Sequence, residues 1–551
     1  MSAVRFAAWA LLVACSSSEA QRPAPPPLVD APEHPFVDGA VATEPAASAT
    51  AVADAAAPVE PPKPEEKKPE PWELDKQGDR IGSLYFRTWI WSQPMRSRDH
   101  LAIGAVRVGT TVKLKSKTPV AGQGCNDKWY EVEPHGFICS DATTTFDFDT
   151  DYWRALASLR PGEGPYPYKY AFSMNAPMYS RIPTKAEQAS AERDMGPIKT
   201  FRTLGKWSEG HERLVTTKEE EFFKADGKGT PWWYDGTKGV KGSPWHAAMP
   251  KVKNIPAGSG FAYARVFEAE DRLWLLTPDM FLVPADRVWP YKESDFQGVE
   301  LDDENTLPLA WIKPADGKQK LAKDGEKLGG ARSAGGEPSP PTRFVPTEGK
   351  YTGRRPVFLT GKNERKGKIV YWETKEGTWV ADDDDVSVVT PKTELKFNLK
   401  ADERWLEASI LGGTMTAFIG LKPVYTTMWS PGLGGVPVKG NDPKKFATTE
   451  VGVFPITWKD KVELMSPDPG APTVFWFADV PWIQYVHAPM AMHVAYWHEN
   501  FGYPMSAECL NTSAKDGEWI FNFTLPKLPE GWGSVGAGRQ NGPSTKINIT
   551  P

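Results

Sequence analysis

The residues best equipped for chemistry lie together near the C-terminal end, in HVAYWHENFGYPMSAECLN (residues 493–511). This segment holds two of the eight histidines, His493 and His498, and Cys509, the last of four cysteines. A thiol with an imidazole nearby makes a cysteine nucleophile: the imidazole takes the thiol proton and the thiolate attacks an electrophilic carbon. His487, six residues before His493, is a third imidazole in the same region. The same residue types also occur as an inert buried thiol and a core histidine bonded to a carbonyl.

A strongly β pattern surrounds this segment. RWLEASILGGTMTAFIGLKPVYTTMWSPG (404–432) alternates apolar and polar residues between Gly-Gly and Gly-Leu-Lys-Pro breaks, and GVFPITWKD and TVFWFADVPWIQYV continue it. The alternation predicts a sandwich rather than a parallel α/β sheet. AKDGEWIFNF (514–523) reads as one short helix, with Ser513 as its N-cap.

At 551 residues the chain is long enough for three or four domains. Its 23 Trp and 52 Pro suit short strands and turns better than helical bundles, so the expected fold class is mainly β. With a net charge of −5 there is no global basic field, and nucleic acid is not an expected partner.

The N-terminus reads as an export signal (1–15), with Arg5 before the apolar run from Phe6 to Val13. Leu12-Val13-Ala14-Cys15 resembles the lipobox of bacterial lipoproteins. That resemblance implies cleavage before Cys15 and a lipid on its thiol. With Ser16 following, it implies a periplasm-facing protein anchored in the cell envelope at the outer membrane. Residues 16–75, rich in Pro, Ala and Glu, cannot bury enough apolar surface to offset chain entropy and read as a tether.

Residues 80–150 carry short alternating runs divided by turns, the pattern of a small β module. Val108-Gly109-Thr110-Thr111-Val112, Trp129-Tyr130 and Gly136-Phe137-Ile138 resemble bacterial Src-homology-3-like modules. Cys125 and Cys139 flank the WYEV strand, and two close cysteines in an exported β protein predict a disulfide. They lack the companions of a zinc site, and no metal is expected. Trp-led strand pairs recur at 273–291 and 378–389, so further β modules are read at 151–300 and 301–395. The acidic run Asp382 to Asp385 lacks the ligand spacing of a calcium loop and reads as a solvated turn.

Residues 400–535 resemble the catalytic domain of bacterial L,D-transpeptidases. The family's pattern is a His-Gly-Thr-like turn, Tyr-Trp-His, Phe-Gly, Pro, then Ser-His-Gly-Cys with a hydrophobic residue and Asn or Arg. Here His493, Tyr496-Trp497-His498, Phe501-Gly502, Pro504, Ser506 and Cys509-Leu510-Asn511 match in order, and PVYTTMWSPG and TTEVGVFPI match upstream. The resemblance implies a cysteine acyltransferase acting on peptidoglycan stem peptides without a cofactor. Cys509 would be the nucleophile and His493 the base; backbone N–H groups at Cys509 and Glu508 would hold the oxyanion. Ser506, Asn511, His498 and Trp497 would position substrate. Residues 536–551 read as a C-terminal tail.

The departures fall at the nucleophile. Ala507-Glu508 stand where the family has His-Gly, Val494-Ala495 where it has Gly-Thr, and Glu450 where it has Pro. A carboxylate beside a thiol disfavours the thiolate. Glycine is often used where the backbone must take a conformation closed to other residues. These departures support a second expectation, a transpeptidase-fold lipoprotein that binds peptidoglycan without turnover.

Overall fold

The computed structural model describes residues 69–96, 102–195, 214–215, 222–236, 239–245, 254–324, 343–394, 398–465 and 476–551. The export signal, Cys15 and nearly all of the tether lie outside them.

The fold is mainly β, as its composition predicts. Two sheets enclose the core that carries the Cys509 segment. One has nine strands, in the order Leu510–Thr512, Met490–Val494, Val480–His487, Trp458–Glu463, Ser534–Gly536, Ala102–Arg107, Arg87–Trp91, Phe137–Cys139 and Trp129–Glu131. The other has six, in the order Val299–Glu300, Lys422–Met428, Thr414–Ile419, Arg404–Ser409, Lys546–Thr550 and Gly452–Pro455. Lys546–Thr550 is thus an interior strand and not part of a tail, since Ile547 and Ile549 bury their side chains in the core. Leu406, Met415, Tyr425 and Ile547 from the six-stranded sheet meet Val486, Met492 and Leu510 from the nine-stranded one, with Ile520 of the helix among them. Alternation produces this arrangement, since every second residue of each strand faces the same side.

The helix Ala514–Phe523 starts where the sequence places it, and the Ser513 hydroxyl accepts from the Asp516 N–H. Asp516 is buried, and its carboxylate accepts from Tyr425 (2.6 Å), Thr427 (2.7 Å), Ser513 (2.7 Å) and the Gly298 N–H (2.8 Å). Four donors satisfy a charge that would otherwise be costly to bury, and they lock the helix to the sheet.

The nine-stranded sheet joins segments more than 400 residues apart in the chain. Gly104 and Ala105 pair with Val535 and Ser534. Trp532 and Val535 complete a core with Ile81, Ile90, Ile103 and Val112. Gly104 is required there, because a Cβ would lie 2.3 Å from the Trp532 ring.

Cys125 and Cys139 form a disulfide. It closes a loop with a sequence separation of 14, and such a loop contributes about 3 kcal/mol by restricting the unfolded chain. Urea unfolding of the Cys125→Ser, Cys139→Ser variant is expected to show a loss of about that size. Unchanged stability would contradict it.

A seven-stranded sheet, in the order Phe344–Tyr351, Lys318–Lys323, Trp379–Asp382, Ile369–Thr374, Pro356–Lys366, Leu309–Ile312 and Val386–Val389, occupies residues 309–389. In the acidic run, Asp383 and Asp385 both receive the Lys318 ammonium. Residues 169–173, 260–263 and 288–290 form a small sheet that packs on the other side of the Cys509 segment.

Candidate active site

Strands Met490–Val494 and Leu510–Thr512 run parallel, pairing Met492 with Leu510, His493 with Asn511 and Val494 with Thr512. Met492 and Leu510 face the sandwich core and the helix. By the two-residue period, His493 and Asn511 face the opposite side, side by side. Cys509 immediately precedes its strand, in a bend two residues from Asn511. Its sulfur lies 3.9 Å from the Pro489 carbonyl.

His493 has a defined tautomer. Its Nδ1–H donates to the Val494 carbonyl at 3.0 Å, leaving Nε2 as the acceptor. Burial lowers its pKa to about 4, so the ring is neutral at pH 7. Neutral imidazole with a bare Nε2 is the form that can take a thiol proton. The imidazolium half of a thiolate–imidazolium pair is disfavoured while the site stays closed. Cys509 and His493 are 2% and 4% exposed.

His498 lies on the loop that folds back beside this pair. The Asn500 N–H donates to its Nδ1 (3.3 Å), and the Asn511 amide lies 3.1 Å from its Nε2. With Nδ1 accepting, the neutral ring carries its proton on Nε2. The amide orientation compatible with that proton presents Oδ1 to it. Burial, then the nearby His493 and Arg354, lower the pKa of His498 to about 3. Asn511 therefore holds one imidazole while standing opposite the other.

Ser506 donates to the carbonyl of Cys509 and closes the turn that presents the thiol. Residues 430–433 brace that turn. Ser430 and Asn511 exchange backbone bonds at 2.9 and 3.1 Å, and the Leu433 N–H donates to the Ser506 carbonyl at 2.9 Å. Thr449, which the sequence reading did not single out, bridges the two: its hydroxyl accepts from the Gly432 N–H and donates to the Glu508 carbonyl, both at 2.9 Å. Trp497 belongs to the aromatic core, stacked on Phe477 with ring centroids 3.9 Å apart and 5.7 Å from the His493 ring. His487 ends its strand 3.0 Å from Glu450, and both act on the Glu508 carboxyl rather than on His493 or His498.

Glu508 does not take a left-handed backbone conformation, so this position does not require glycine's freedom. Its side chain is buried. Burial raises its pKa, as do Glu450 and Asp442, while Lys444 and His487 oppose the shift. What remains of the departure is charge and bulk beside the thiol. Glu508→Gly is expected to speed alkylation of Cys509 about tenfold at pH 8, the effect of one pKa unit on the thiolate population. The gain should shrink on acidification, as the Glu508 carboxyl of the parent becomes neutral. Iodoacetamide kinetics at pH 5.5 and 8 read this, and an equal or lower rate at pH 8 would contradict it.

The site's covering comes from other parts of the chain. Tyr170, Phe172 and Tyr291 pack on Tyr496, and Phe296 stacks on Phe501 at 5.3 Å. Glu499 pairs with Arg354, a contact across 145 residues. Glu499 had one signal in the sequence, its place next to His498 in the motif. Arg354 had none, because its partner lies far away in the chain.

No family model matches the chain, and no curated protein matches it. Thirty-two chains of solved structures match. An L,D-transpeptidase from Xylanimonas cellulosilytica is 17% identical, with a TM-score of 0.19, over 27% of this chain and 61% of that one, less than two thirds of its length. An L,D-transpeptidase from Mycobacterium smegmatis is 19% identical, with a TM-score of 0.20, over 34% and 77% of the two chains. L,D-transpeptidase 3 from Mycobacterium tuberculosis, in complex with a faropenem-derived adduct, is 17% identical, with a TM-score of 0.20, over 35% and 78%. Scores this low carry no argument about this chain, whose site stands on its own register, tautomer and burial.

Proposed function

We propose that this protein is a cysteine acyltransferase of L,D-transpeptidase type acting on peptidoglycan stem peptides. The observation that carries the reading is the parallel pairing of Met490–Val494 with Leu510–Thr512, which sets His493 against Asn511 with Cys509 next in line. Cys509 attacks the carbonyl that joins diaminopimelate to D-alanine, and its proton passes to Nε2 of His493. Backbone N–H groups at Glu508 and Cys509 hold the oxyanion. The C–N bond breaks, D-alanine leaves with the proton from His493, and a thioester remains. An amine of a second stem then attacks the thioester, returns a proton through His493 to the sulfur, and forms the new amide.

The burial of Cys509 and His493 favours a second reading, in which the protein binds peptidoglycan without turnover. Incubation with a stem tetrapeptide separates the two. The first predicts D-alanine release that is lost in Cys509→Ala. Binding with no release would establish the second.

The proposal extends to the cell envelope. A lipid at Cys15 anchors the chain in the outer membrane, and residues 16–75 give the body reach toward the wall. The Src-homology-3-like reading of residues 80–150 adds a grip on wall peptides. Metabolic labelling with a palmitate analogue, lost in Cys15→Ala, tests the anchor; labelling retained in that variant would refute it.

A further inference from the structure

We propose that Arg354, contributed from outside the transpeptidase-like segment, is a positioning residue: paired with Glu499, it fixes the loop through which His498 holds Asn511 opposite His493. The inference rests on reading Cys509 and His493 as the reacting pair.

Arg354 is itself held firmly. It sits in the turn between strands Phe344–Tyr351 and Pro356–Lys366 with φ at 55°, a left-handed conformation uncommon for a residue with a side chain. Its N–H donates to the Ile312 carbonyl at 2.7 Å, and the Ile312 N–H donates to the Arg355 carbonyl at 3.2 Å. Gly353 lets the chain pass so closely that a Cβ there would lie 2.1 Å from the Pro314 carbonyl oxygen. The seven-stranded sheet thus presents a guanidinium from a rigid turn.

The route from this turn to the base is short. Arg354 pairs with Glu499, and both side chains are largely buried. Glu499 adjoins His498, and the next residue, Asn500, donates its N–H to His498 Nδ1 and accepts from the Ser430 hydroxyl at 3.0 Å. His498 reaches the Asn511 amide, and Asn511 is the cross-strand neighbour of His493.

Two features set this pair apart from a general-purpose strut. Oε1 of Glu499 is buried without a hydrogen-bond partner among the described residues. A buried ion pair that leaves an oxygen unsatisfied is a poor source of stability compared with apolar packing. The guanidinium charge also acts on His498. The groups facing that ring are the His493 imidazole from Met490–Val494, the Asn511 amide from Leu510–Thr512, the Phe501 ring and Arg354. Arg354 is the permanent cation among them, so its removal makes His498 easier to protonate.

The full chain with nitrogen-15-labelled histidine tests the proposal in Arg354→Gln, Arg354→Lys and Glu499→Gln. In Arg354→Gln, the His498 and His493 ring signals are expected to move, and His498 to titrate at higher pH than in the parent. Carbapenem acylation of Cys509 is expected to fall about tenfold or more, with its acidic limb displaced to higher pH. Arg354→Lys, which restores the charge, should recover the ring signals and most of the rate. If Arg354→Gln does not fold, Glu499→Gln, of nearly equal volume, is read by the same signals. Ring signals and titration unmoved in a folded variant would overturn the proposal. A parent that takes up no carbapenem would instead defeat the acyltransferase reading, while the ring signals still decide whether Arg354 positions the histidines.

Discussion

His493→Gln is expected to slow acylation of Cys509 by about 10²- to 10⁴-fold, the usual contribution of a positioned acid–base group. Glutamine fills similar space and can still donate to the Val494 carbonyl, so the change removes the acceptor at Nε2 more than the packing. The pH dependence of the parent makes the same argument. The pKa of His493 is lowered to about 4, so protonation disables the base only as pH falls through that value. Acylation should therefore lack an acidic limb near pH 6.5, the pKa of a free imidazole, and lose the base only near pH 4. A limb near 6.5, or a His493→Gln variant as fast as the parent, would remove His493 from the mechanism.

The largest expected effect on stability is at Lys459. This residue is fully buried on strand Trp458–Glu463 beneath the end of the helix Ala514–Phe523. Its ammonium donates to the carbonyls of Phe521 (2.7 Å), Pro526 (2.9 Å) and Thr524 (3.3 Å), and to the Thr524 hydroxyl (3.1 Å). Helix ends leave carbonyls without partners and carry partial negative charge, so a cation here meets both needs. Burial lowers the Lys459 pKa well below the ordinary lysine value, as does the neighbouring Lys527. Lys459→Met keeps the length of the side chain but leaves those oxygens buried and unpaired, at a cost of about 3 kcal/mol or more. Denaturant unfolding would show a lower midpoint. An unchanged midpoint would mean that water or a shifted helix replaces the ammonium.

These effects lie at sites of unequal visibility in the sequence. The strands at Arg404–Ser409, Thr414–Ile419 and Lys422–Met428 follow the alternation of residues 404–428 and the turns at Gly412-Gly413 and Gly420. The Ser513 cap and the disulfide were equally local, each depending on residues a few positions or one strand apart. The pairing of Gly104 with Val535 was not legible, because strand patterning specifies which face is buried and not which distant edge is met. The same holds for Arg354 and Glu499. At Glu508 the sequence raised two concerns, backbone conformation and charge. The backbone concern drops out with the observed conformation, and the charge remains.

The burial of the site bears on rate more than on identity. Cys509 is buried, and aromatic rings pack around residues 494–497 next to His493, so a stem peptide meets the pair only when the covering moves. Small reagents and small acyl donors should therefore report on the chemistry ahead of the full substrate.

The central claim is that Cys509 is a nucleophile served by His493, and the most direct measurement is the intact mass of the folded protein after exposure to a carbapenem. One covalent adduct per chain is predicted, located on Cys509 by peptide mapping and absent in Cys509→Ser. No adduct after prolonged exposure of folded protein, or an adduct that persists in Cys509→Ser, would contradict the account.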